Sequence, residues 1–211
     1  MKIVLTGGIA CGKSLLSQFL NELGVETLDA DDVVHELLPD PDERRRIAAE
    51  VFADPEKRRA LEAKLHPLVK ERIDNWLDGT SGTDGTTETA ETSGTGACLV
   101  SPGGLGGPVT PARPARPVRV AIIPLLFEAH WEKNFDIICC VVSSREKQIE
   151  RMMTTRGMTH AEAEARLAAQ LPVEEKAKRS HYVIHNNGTA DELRAEAQKL
   201  VDTLCASASL R

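Results

Sequence analysis

The residues best suited to chemistry lie near the amino terminus. Gly7-Gly8-Ile9-Ala10-Cys11-Gly12-Lys13-Ser14 fits the spacing G-x-x-x-x-G-K-[ST]. Gly7 and Gly12 permit backbone angles that turn successive N–H groups inward onto phosphate oxygens. Lys13 supplies a mobile cation for the β- and γ-phosphates, and the Ser14 hydroxyl is a hard oxygen ligand for Mg²⁺. A helix opening at Gly12 and running through Leu15 aims its positive end at the same charge. The pattern predicts binding of a nucleoside triphosphate, with residues 7–15 as its cradle.

Carboxylates follow at Asp29-Ala30-Asp31-Asp32. A carboxylate at a strand end can accept a proton from an attacking hydroxyl or hold Mg²⁺ through water. It can equally cap the next helix. The residues alone leave both readings open for Asp31. Asp32 is the better cap, which leaves Asp31 for chemistry. Glu128 closes Pro124-Leu125-Leu126-Phe127. It reads either as a contact for metal-bound water or acceptor, or as an exposed helix-start glutamate. Arg145, Lys147, Arg151, Arg156 and Arg166 offer forks for phosphate oxygens. Most of them should instead pair along solvated helix faces with Glu146, Glu150, Glu162 and Glu164. His66-Pro67 reads as a kink with a hydrogen-bonded ring rather than as a catalytic group.

These residues need elements to position them. Lys2–Thr6, Val25–Leu28, Arg119–Pro124, Asp136–Val142 and Tyr182–His185 read as short buried strands. Helical periodicity occupies Gly12–Leu23, Asp32–Leu38, Asp42–Val51, Pro55–Leu77, Arg145–Thr155, Thr159–Gln170 and about Ala190–Leu204. Alternation of strands and helices predicts an α/β fold with a parallel sheet. Residues 78–118 are dominated by Gly, Thr, Pro and Ser and have no apolar periodicity, so they read as a flexible surface insertion.

Composition narrows the function classes. The 211 residues are 41% hydrophobic and 27% charged, an ordinary globular balance that excludes a mainly disordered chain. No run approaches the roughly 18 apolar residues of a membrane span. A net charge of −6 argues against a general nucleic-acid binder, and 3% aromatics argue against base-stacking platforms. The five cysteines have neither disulfide nor zinc spacing, so a reducing cytoplasm is the default.

Taken together, the motifs resemble the dephospho-coenzyme A kinase family. The resemblance rests on Gly7 to Ser14, Leu23-Gly24-Val25 and Asp29-Ala30-Asp31. It continues through Val51-Phe52-Ala53-Asp54-Pro55-Glu56, His66-Pro67-Leu68 and Pro124 to Glu128. Gln148 to Arg151, Arg156-Gly157, Arg166 to Gln170, Tyr182-Val183-Ile184, Asn186 and Gly188 complete it. It implies a three-layer P-loop NTPase fold, adenylate-kinase-like, with a helical acceptor domain and a small lid. Residues 1–31 and 119–211 would form the nucleotide-binding core, 32–77 the acceptor region and about 145–175 the lid. The implied reaction is transfer of the ATP γ-phosphoryl group to the 3′-hydroxyl of dephospho-coenzyme A, with ATP and Mg²⁺ bound and no nucleic-acid or membrane partner. The implied catalytic residues are Asp31, Lys13, Arg151 and Arg156; Asn186, an implied nucleotide contact, falls with Gly188 near the loop that would border the adenine. Alternatives are another small-metabolite or nucleoside kinase of this fold, and a nucleotide-binding regulator without turnover. Three departures stand out. Ala10 and Cys11 stand where the family usually has a glycine and a small residue. Ser180-His181 replaces Ala-Asp. The segment between Asp31 and His66 is shorter by roughly 20 residues.

Overall fold

A computed structural model describes residues 1–79 and 118–209. The expected insertion, 78–118, therefore lies almost entirely outside the described residues. Five strands form one sheet: β1 (Ile3–Gly7), β2 (Glu26–Asp29), β3 (Arg119–Ile122), β4 (Ile137–Val142) and β5 (Tyr182–His185). Their order is β2-β3-β1-β4-β5 and every pairing is parallel. From β1 the chain runs to the edge as β2, comes back beside β1 as β3, and then crosses to the other side as β4 and β5. That reversal places a crevice at the carboxyl end of β1, where open α/β sheets bind ligands.

Among the described residues there are eight α-helices: α1 (Lys13–Glu22), α2 (Ala30–Leu37), α3 (Pro41–Ala53), α4 (Pro55–Asp78), α5 (Arg145–Arg156), α6 (His160–Ala168), α7 (Val173–Lys178) and α8 (Ala190–Ser209). Side chains alternate along β1, so Ile3 and Leu5 face one layer and Val4 the other. The first layer packs Leu16 and Leu20 of α1 with Leu193, Leu200 and Leu204 of α8. The second packs Val33 of α2 and Val69 and Ile73 of α4 with Leu126 and Phe127. This is the expected three-layer arrangement.

Caps explain the helix boundaries and correct one expectation. Neither Asp31 nor Asp32 caps α2. Asp29 does, its Oδ1 accepting from the Asp31 N–H at 2.9 Å. Asp29 alone still has the extended backbone an N-cap needs, whereas Asp31 and Asp32 are already in the first helical turn. Asp40 and Asp54 cap α3 and α4 in the same way, each followed by proline at the first helical position. Pro67 lies inside α4, which is one helix from Pro55 to Asp78, and the His66 ring meets Trp131 edge-on at 5.3 Å; the expected hydrogen bond of the ring is not found among the described residues. Helix α7 has no counterpart in the sequence reading. No helix among the described residues is long and apolar enough to cross a membrane.

Candidate active site

The Gly7–Ser14 loop joins β1 to α1 at the crevice. Gly12 sits at φ +92°, the left-handed turn that opens α1. A Cβ there would meet Asn186 Nδ2 at 2.1 Å, so the position requires glycine on two counts. Gly7 lies against β4, where a Cβ would meet the Val141 carbonyl at 2.3 Å. Ala10 also adopts positive φ, +57°, with a methyl group that disfavours it. Lys13 Nζ donates to the carbonyls of Gly7 at 3.1 Å and Gly8 at 2.8 Å. Burial pulls its ammonium below the ordinary lysine range, and the nearby Lys176 charge acts in the same direction. Ser14 is exposed. Leu15 is half-buried against the first core layer.

The loop's outer side is held by side chains from β4, α5 and the end of β5. Gln148, buried in α5, donates to the Ile9 carbonyl at 2.7 Å and to Cys11 Sγ at 3.1 Å. Arg151 Nη1 donates to the Ala10 carbonyl at 3.2 Å and to Ser143 Oγ at 3.0 Å. Its Nη2 donates to Asn186 at the backbone carbonyl, 3.0 Å, and at Oδ1, 3.4 Å. Asn186 Nδ2 donates in turn to the Cys11 carbonyl at 2.8 Å. Asn186, expected as a nucleotide contact, is 6% exposed, and its amide bonds to the loop backbone and to Arg151. Arg151, expected as a lid arginine, spends its fork on neutral acceptors around the loop. Cys11 is a fully buried core thiol, and burial pushes its pKa up.

These elements enclose a cleft of about 390 Å³. Ala10, Lys13 and Ser14 line one side. Asp29, Asp31 and Pro124 line another, and Arg151, Arg156 and Gln170 approach from α5 and the end of α6. The cleft thus brings together Asp31, Lys13, Ser14, Arg151 and Arg156 from separate elements. Burial pushes the Asp29 carboxyl up and neighbouring Asp31 and Asp32 add to it, while the hydrogen bond from the Asp31 N–H opposes them. Asp31 is exposed to the cleft, and so is Arg156. Of the other cations, Lys147 pairs along its helix with Glu150 at 2.9 Å as expected, whereas Arg145 pairs across to α6 with Glu164 at 3.1 Å. Glu128 is neither exposed nor at a helix start. It pairs with Lys176 at 2.8 Å.

Sequence reasoning missed Ser143 and Lys176. Ser143 gave no signal beyond its place after an apolar strand. Lys176 sits in Val-Glu-Glu-Lys-Ala-Lys, which reads as solvated surface. His181 supports the sheet: its Nδ1 accepts from the Ile138 N–H at 3.0 Å.

A glycine-rich loop between a central strand and a helix, facing carboxylates and arginines across a cleft, defines a P-loop kinase. The dephospho-CoA kinase family model CoaE matches residues 1–43 and 111–192. The chain is 35% identical to the dephospho-CoA kinase of Synechococcus sp. (strain JA-3-3Ab), over 94% of this chain and 91% of that one. It is 33% identical to that of Geobacter sulfurreducens, over 94% and 95%. The solved dephospho-CoA kinase of Campylobacter jejuni shares the fold with a TM-score of 0.63 at 21% identity, over 98% of this chain and 99% of that one. The chain belongs to the dephospho-CoA kinase family.

Proposed function

We propose that this chain transfers the γ-phosphoryl group of ATP to the ribose 3′-hydroxyl of dephospho-coenzyme A. The observation that carries the reading is the shared cleft, in which Asp31 stands across from Lys13 and Ser14 with Arg156 at the rim. In this reading the N–H groups of residues 8–15 and the Lys13 ammonium bind the triphosphate. Asp31 orients the 3′-hydroxyl and accepts its proton as the oxygen attacks phosphorus in line. Arg156, exposed at the carboxyl end of α5, neutralises charge on the transferring group. Arg151 acts one step back by holding the Ala10 carbonyl. Asn186 does the same at Cys11.

A magnesium ion on nucleotide phosphates needs only one or two protein oxygens. The exposed Ser14 hydroxyl, with the Asp29 carboxylate on the facing wall, fits that requirement. Bound there, the ion would neutralise charge on the β- and γ-phosphate oxygens.

Helices α2–α4 receive the acceptor and α5–α6 serve as the lid over the nucleotide. Closure of that arm excludes water and limits wasteful hydrolysis. The test is ADP formation from ATP and Mg²⁺ with and without dephospho-coenzyme A. Strong dependence on the acceptor supports the assignment. ADP formation indifferent to it, or absent in both cases, rejects it.

A further inference from the structure

We propose that the Glu128–Lys176 pair is a positioning device for phosphoryl transfer, pinning the base of the α5–α6 arm to the strand end that walls the cleft. The inference rests on the kinase reading above. Lys176 has no exposed side-chain surface. Its Nζ donates to Glu128 Oε1 at 2.8 Å and to the Pro124 carbonyl at 3.1 Å. The same Glu128 Oε1 accepts the Leu171 N–H at 3.1 Å. One carboxylate oxygen thereby joins two walls of the cleft. Pro124 follows β3 and lines it directly. Gln170, immediately before Leu171, lines it where the arm returns to the core.

Stability alone is a poor reason for this arrangement. Burying an ammonium group is costly, and a well-packed apolar pair is often as stable as a buried ion pair. Glu128 Oε2 is moreover buried without a hydrogen-bond partner among the described residues. Geometry is what the pair supplies. Three directed contacts fix Pro124 against Leu171, and Thr6 Oγ1 adds a fourth to the Pro124 carbonyl at 3.4 Å. Arg156 and Gln170 both belong to the arm whose base is fixed in this way. Small misplacements of such groups are expensive in rate. Lys176 also lies close enough to Lys13 to influence its charge, so the anchor adjoins the phosphate end of the cleft.

The experiment compares the intact chain with the double variant Glu128→Gln/Lys176→Met, which removes both charges together, and with Lys176→Arg, which keeps the charge but changes its reach. Melting temperature, kcat, KM, product formed per ADP, and nucleotide-induced hydrogen-exchange protection of residues 157–171 are measured. Positioning predicts that kcat falls about ten-fold or more in both variants, while KM for ATP changes little. Product per ADP drops below one, and protection by a non-hydrolysable ATP analogue weakens. If the double variant fails to fold, Lys176→Arg decides. Variants with unchanged kcat, one product per ADP and intact protection would overturn the inference. Should the intact chain fail to use dephospho-coenzyme A, the substrate assignment falls. The exchange readout, which needs nucleotide alone, still decides the anchor: protection lost in the variants supports it, and equal protection overturns it.

Discussion

Arg151 Nη1 donates to the carbonyl of Ala10 at 3.2 Å, and Ala10 is the one residue of the Gly7–Ser14 loop other than glycine with positive φ, +57°. A strained backbone persists where its surroundings over-determine it. Here the guanidinium holds the carbonyl while Gln148 holds the neighbouring Ile9 carbonyl. Ala10→Gly should relieve the strain and stabilise the chain by up to about 1 kcal/mol, read by urea unfolding, with ATP affinity unchanged or improved. Arg151→Met should do the opposite, weakening ATP binding about ten-fold or more through loss of a charge-assisted hydrogen bond. An Arg151→Met variant with intact ATP affinity would remove the loop-holding role.

Gly12 carries the sharpest steric constraint. Its φ is +92°, and Asn186 Nδ2 lies 2.1 Å from the point a methyl group would occupy. Alanine has no room there without moving the amide that supports Cys11. Gly12→Ala should cost about 1–3 kcal/mol and abolish measurable nucleotide binding by calorimetry. Retention of affinity within two-fold would mean that the loop tolerates a different path.

A clip of charges ties β1 to α4. Lys2 Nζ meets Asp74 at 2.8 Å and Asp78 at 3.1 Å, and Lys70 Nζ meets the second Asp74 oxygen at 2.5 Å. Burial alone would raise the Asp74 carboxyl, but the hydrogen bonds from Lys2 and Lys70 more than offset it and hold it below the ordinary range. Its stabilisation is therefore complete above the unfolded carboxylate value of about 3.9 and is lost as pH falls through the lower folded value. The hydrogen bond to Asp74 raises Lys2 against the opposing effect of burial. That share is complete below the unfolded lysine value of about 10.4 and is lost as pH rises through the higher folded value. These groups are partly exposed, so Asp74→Asn should cost only about 0.5–1 kcal/mol near neutral pH. Urea melts across pH should show the difference shrinking at both extremes. A difference independent of pH would mean that the charges contribute nothing.

Much of this was legible because local chemistry and tertiary context agree. The apolar runs at β1 and β4 are buried on both faces, as parallel strands are. The glycine spacing at 7 and 12 has few structural solutions, so the loop could be placed from sequence. Asp31 and Arg156 stand out in the sequence as candidates, and the cleft collects them. What escaped is long-range. Asn186 and Arg151 read as ligand contacts in sequence; that their side chains also bond to loop carbonyls, more than 140 residues away at Ala10 and 170 away at Cys11, could not be read from it. Lys176 belongs to a six-residue helix with four charged side chains, and only its partner Glu128, across the fold, explains its burial.

In the proposed reaction the Asp31 wall of the cleft delivers a 3′-hydroxyl to the triphosphate held by the loop. The most direct measurement is single-turnover transfer of labelled γ-phosphate, with the labelled position on the product established by mass fragmentation, for the intact chain and for Asp31→Asn. The intact chain should label the 3′-oxygen of dephospho-coenzyme A. Asp31→Asn should bind ATP equally well and transfer about 10²–10⁴-fold more slowly. Transfer at an undiminished rate by Asp31→Asn, or label found at any other position, would contradict it.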